Sequence, residues 1–139
     1  MSGVKCRIYI IFFIFLNTIS VKAQLSKVHY IPPITAHSAP NSNAYPRDQY
    51  IYISTPSTLD VSYSIQPMGA PPSQYISGTV SNSTPDVQFI GSGATNFAIV
   101  NNELYGGRVL DNFGYFITAD APIYVAFRLR ASSRNGGTY

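Results

Sequence analysis

Cysteine is nearly absent from this 139-residue chain, and the one thiol, Cys6, precedes an apolar N-terminal run. That excludes a disulfide framework and any thiolate metal centre, so the fold must be held by packing alone. The two histidines, His29 and His37, lack the second pair at ligand spacing that a zinc site needs. Net charge is absent from the body of the chain. The formal +3 comes from Lys5, Arg7 and Lys22, and beyond Lys22 six basic residues face six acidic ones. A neutral body has no cationic footprint for nucleic acid or anionic lipid, so no nucleic acid is expected as a partner. Long apolar runs are missing too: Ile8 to Leu16 falls well short of the roughly 20 residues that span a bilayer.

What the N-terminus does contain is a secretory signal pattern. A basic start (Lys5, Arg7) leads into the apolar core, and a small-residue exit follows at Val21-Lys22-Ala23 before Gln24. The expectation is a signal-peptide helix over 1–23, cleaved after Ala23, with membrane contact only before cleavage. About 115 residues then remain, the size of one domain. Residues 24–48 read as an extended lead-in segment, closed by Pro32-Pro33, and a loop from Thr35 to Arg47. Residues 49–139 read as the domain proper.

The clearest pattern in that domain is Ala121 to Ala131. Ile123, Val125, Phe127 and Leu129 alternate with Tyr124, Ala126, Arg128 and Arg130, as expected of a half-buried strand whose side chains point to opposite faces in turn. Asp60 to Gln66 repeats the design, with Val61, Tyr63 and Ile65 against Ser62, Ser64 and Gln66. Further short strands are read at Gln49–Ser54, Tyr75–Val80, Val87–Ile90, Asn96–Val100, Leu104–Leu110 and Gly114–Thr118. Pro, Gly, Ser and Asn clusters separate them, a spacing that suits an antiparallel sandwich. No window after the signal has helical periodicity. The fold class expected is all-β, an antiparallel β-sandwich. Asn135-Gly136 is a hairpin turn signal followed by almost no return strand, so a sandwich left incomplete at Tyr139 is the expectation, with a frayed tail as the alternative.

Catalytic signatures are missing. No serine sits in a nucleophile elbow, both histidines lie in the lead-in region, and the acids Asp60, Asp86, Glu103, Asp111 and Asp120 are read at strand ends or turns. Gly91-Ser92-Gly93 lacks the rest of a phosphate loop. Asn101-Asn102-Glu103 and Asp111-Asn112 offer oxygen atoms without calcium-loop spacing, so no cofactor and no metal are expected. The remaining signal is tyrosine with arginine. If Ile51 and Ile53 face the core, Tyr50 and Tyr52 face out, as do Tyr124, Arg128 and Arg130, and these residue types are enriched in recognition surfaces. The same alternation equally suits cross-strand aromatic pairs that only stabilise the sheet.

His29-Tyr30-Ile31-Pro32-Pro33, Gln49-Tyr50-Ile51-Tyr52-Ile53-Ser54-Thr55-Pro56, Gly114-Tyr115-Phe116-Ile117 and Ala119-Asp120-Ala121-Pro122-Ile123-Tyr124-Val125 with Arg128-Leu129-Arg130-Ala131 resemble the N-terminal region of large exported surface proteins of gliding bacteria. That region is similar to the N-terminal domain of IgGFc-binding proteins, and full-length members end in a gliding-motility-associated C-terminal domain read by type IX secretion. The resemblance implies a secreted or cell-surface location and an adhesive role, with no catalytic residue carried over. The function expected is therefore a non-catalytic module for adhesion or protein recognition, with a carbohydrate-binding module as the alternative and an extracellular protein or glycan as partner.

Overall fold

The computed structural model describes residues 25–36, 46–93, 96–101, 108 and 110–131. The expected signal segment, the turn at Asn135-Gly136 and most of Leu104–Leu110 lie outside them. The described chain is all-β, with strands β1 (Ser26–Ile31), β2 (Ile34–Ala36), β3 (Pro46–Ser54), β4 (Val61–Pro67), β5 (Ile76–Val80), β6 (Asp86–Gly91), β7 (Ile99–Asn101) and β8 (Tyr115–Ala131). One turn of 3-10 helix, Pro72–Gln74, links β4 to β5. No described helix is long and apolar enough to cross a membrane.

Strand β8 organises the rest. Its first half pairs antiparallel with β4, from Tyr63↔Ala119 to Pro67↔Tyr115, and also with β1 along Val28↔Thr118 to Ile31↔Tyr115. Its second half pairs antiparallel with β3, from Ser54↔Tyr124 to Pro46↔Ala131. Strand β5 then adds to β4, and β6 to β3. Strands β3 and β4 thus lie end to end along β8, and the sheet has two halves that meet at Thr55–Asp60 and Asp120–Ile123.

The sequence pattern divides β8 into two strands, Gly114–Thr118 and Ala121–Ala131. The structure keeps it whole for 17 residues. Pro122 has no amide hydrogen to donate, and it sits where β8 changes partner from β4 to β3, so no ladder bond is lost there. The loop read from Thr35 to Arg47 also needs correction at both ends, because β2 reaches Ala36 and β3 begins at Pro46. Strand β2 pairs with β7 in parallel, Ile34↔Ile99 to Ala36↔Asn101, an exception to the antiparallel expectation. The lead-in piece β1 belongs to the main sheet, and Ile31 is part of the core.

The alternation read in Ala121–Ala131 holds. Ile123 is fully buried, Val125, Phe127 and Leu129 pack against the core, and Tyr124, Ala126, Arg128 and Arg130 are exposed. Both halves turn their apolar faces inward onto one cluster: Val61, Tyr63, Ile65, Tyr115 and Ile117 from one, Ile51, Ile53 and Ile123 from the other. At about 1.5–3 kcal/mol per large side chain removed from water, this cluster is the main stabilising term. Between the two halves, the Tyr63 hydroxyl on β4 donates to the Asp86 carboxylate on β6, and Gln88 Nε2 donates to both, at 3.0 and 2.7 Å.

Candidate functional site

The outward positions of β6, β3 and the second half of β8 form one continuous surface. Phe89 on β6 is level with Tyr50 on β3, which is level with Arg128 on β8. The next row is Val87, Tyr52 and Ala126, and the one after it pairs Ser54 with Tyr124. Phe89, Val87 and Tyr124 are 55%, 48% and 44% exposed, high for large apolar side chains in the middle of strands. Tyr50 and Tyr52 are half-buried, because cross-strand neighbours shield their flanks. The Tyr50 ring lies 5.5 Å from Phe89 and 6.5 Å from Tyr52, tilted by 58° and 57°.

All five residues singled out from sequence, Tyr50, Tyr52, Tyr124, Arg128 and Arg130, therefore share this face, and they differ in how committed they are. Arg130 Nη1 pairs with Asp48 at 3.0 Å, an exposed pair of the kind that contributes about 0–1 kcal/mol. Arg128 makes one long hydrogen bond, Nη1 to the Tyr52 hydroxyl at 3.4 Å, which leaves most of its guanidinium donors turned to solvent. Phe89 and Val87 were missed in the sequence. Their strand, Val87-Gln88-Phe89-Ile90, has an apolar residue at both parities, and only the Gln88 contact to Tyr63 shows which side is inward.

The other candidates take structural roles. His29 Nε2 contacts the carbonyl oxygens of Ser26 and Ile123 at 3.1 and 2.9 Å, so that nitrogen carries the proton and ties β1 to β8. Asp86, read at a strand end or turn, anchors the polar contact between β6 and β4, and its pKa is held below the usual carboxylate value chiefly by the Tyr63 hydrogen bond. Burial, reinforced by Asp86, pushes Tyr63 up to about 12, and burial alone does the same for Tyr115. Asp120, expected at a strand end, lies inside β8 and is exposed. Among the described residues no three His, Cys, Asp or Glu side chains group as metal ligands. His37, Asn102 and Glu103 lie outside the described residues.

Comparison with protein-family models, with curated proteins and with solved structures finds no match to this chain. The functional reading accordingly rests on the geometry of the surface and on the chain's own chemistry.

Proposed function

We propose that this chain is a non-catalytic β-sandwich module, secreted or displayed at the cell surface, that acts in adhesion by recognising an extracellular protein. The observation that carries the reading is the contiguous outward strip of Val87, Phe89, Tyr50, Tyr52, Arg128 and Tyr124. Protein contact surfaces concentrate large aromatic and arginine side chains around an apolar centre, and Phe89 and Val87 supply apolar area without a polar handle. The signal pattern over 1–23 and the resemblance to exported surface proteins support the location. A sugar on this same strip draws less support, since its rings are tilted by 57° and 58° and give no flat stacking platform.

The test is adhesion of beads carrying the chain to surfaces coated with extracellular proteins, run beside a glycan array. The reading expects retention on protein that is lost on Arg128→Ala. Protein adhesion indifferent to that change would overturn it, as would glycan binding lost on Tyr50→Ala or Tyr52→Ala.

A further inference from the structure

The opposite half of the sheet presents a surface of different chemistry. On β5, β4 and the first half of β8 the outward positions are Ser77 and Thr79, then Ser62, Ser64 and Gln66, then Phe116, Thr118 and Asp120, with the exposed Val28 and Tyr30 of β1 beyond them. The register sets Thr79 beside Ser62, and Ser77 beside Ser64, which is beside Thr118. Apart from Gln66 and Phe116, the side chains on these three strands are short. These eight positions on the three strands carry five hydroxyls, one phenyl ring, one amide and one carboxylate, with no cation among them.

Within this face lies a depression of about 230 Å³, lined by Ser62, Tyr63, Ser64, Thr118, Ala119 and Asp120. Its origin is the change of partner along β8. The β4 ladder ends at Tyr63↔Ala119 and the β3 ladder begins at Ser54↔Tyr124, so residues 120–123 face no strand of either. The polar groups around it are uncommitted. Among the described residues the hydroxyls of Ser62 and Ser64 and the carboxylate of Asp120 make no hydrogen bond. The Thr118 hydroxyl accepts a long one from Gln66 Nε2 at 3.5 Å and keeps its own hydrogen to donate.

We infer that this depression binds a single saccharide ring. Vicinal sugar hydroxyls need a carboxylate that accepts from two of them and neighbouring hydroxyls that both donate and accept, and Asp120 with Ser62, Ser64 and Thr118 is that set. The volume is below the roughly 300–1,000 Å³ of pockets that enclose drug-sized ligands, which fits one ring held from one side. Such a site is weak alone and gains strength when many copies meet many sugars. This inference stands apart from the protein-binding strip and does not rest on it.

The test is a titration of ¹⁵N-labelled protein with the methyl glycosides of glucose, galactose, mannose and N-acetylglucosamine, with spermidine as a cationic control. At least one glycoside is expected to shift the amides of Ser62–Ser64 and Thr118–Asp120, saturating in the millimolar range. Asp120→Asn should weaken that binding by about tenfold or more, the effect of losing a charge-assisted hydrogen bond, and Ser64→Ala should weaken it less. Absence of shifts with every glycoside overturns the inference. So do shifts with spermidine alone, or glycoside shifts confined to Tyr50, Tyr52 and Phe89. An array signal lost on Asp120→Asn but kept on Tyr50→Ala supports this site and leaves the protein-binding reading untouched.

Discussion

One strand, β8, presents two unlike surfaces to solvent while its inner face stays uniform. Inward it runs Tyr115, Ile117, Ala119, Ala121, Ile123, Val125, Phe127 and Leu129, apolar throughout. Outward it begins with Phe116, Thr118 and Asp120 beside Gln66 and the serines of β4, and ends with Tyr124 and Arg128 beside the tyrosines of β3. The inward set carries the larger burial, since the outward positions are half-buried or exposed. The outward difference is therefore free to serve recognition, and it sets an aromatic, cationic stretch beside β3 against a hydroxyl-rich stretch beside β4.

The largest effect should come from breaking the uniform inner face. Ile65 and Ile117 are paired across β4 and β8, both fully buried, so Ile117→Ala should cost about 2–5 kcal/mol in a urea melt. The adjacent outward change Thr118→Ala should stay within about 0.5 kcal/mol. Equal costs would mean that the two faces of β8 are not distinct.

The polar contact between the halves can be probed by pH. Asp86 is held below its unfolded value of 3.8, so its contribution is present above that pH and is lost as pH falls through the lower folded value. Asp86→Asn should flatten the acid limb of the stability profile. Tyr63 behaves oppositely: its folded value of about 12 lies above the unfolded 10.0, so its contribution is intact below pH 10.0 and lost between there and about 12. Tyr63→Phe should reduce the alkaline slope without abolishing it, because Tyr115 is raised in the same way. Melts in a pH series check both.

Smaller effects mark the aromatic half. Phe89→Ala removes the ring 5.5 Å from Tyr50 and should cost about 0.2–1 kcal/mol, the worth of a cross-strand pair. Arg130→Ala, which breaks the exposed pair with Asp48, should cost less than that and the cost should vanish in high salt. A large loss at Phe89 would assign the strip to stability rather than to contact.

The inner alternation of β8 and of β4 was legible in the sequence because period-two patterning with large apolar residues has one physical reading. The five outward candidates were legible for the same reason, since parity fixes them once Ile51, Ile53 and Ile123 are inside. Phe89 and Val87 were not, because their strand has apolar side chains on both faces and the buried partner of Gln88 is distant in sequence. The parallel pairing of β2 with β7 was invisible as well: three residues per strand give no period, and the contact depends on Ile34 meeting the Asn96–Ile99 turn, where the Asn96 side chain caps two backbone amides. The hydroxyl-lined depression required register, since Ser62, Ser64, Thr118 and Asp120 become neighbours only through the β4–β8 ladder.

Adhesion to protein-coated surfaces by a Phe89→Ser, Tyr124→Ser double variant, measured beside its urea midpoint, tests the separation of folding from recognition most directly. Loss of adhesion with the midpoint nearly unchanged is the predicted result. Retained adhesion in a folded double variant would contradict it.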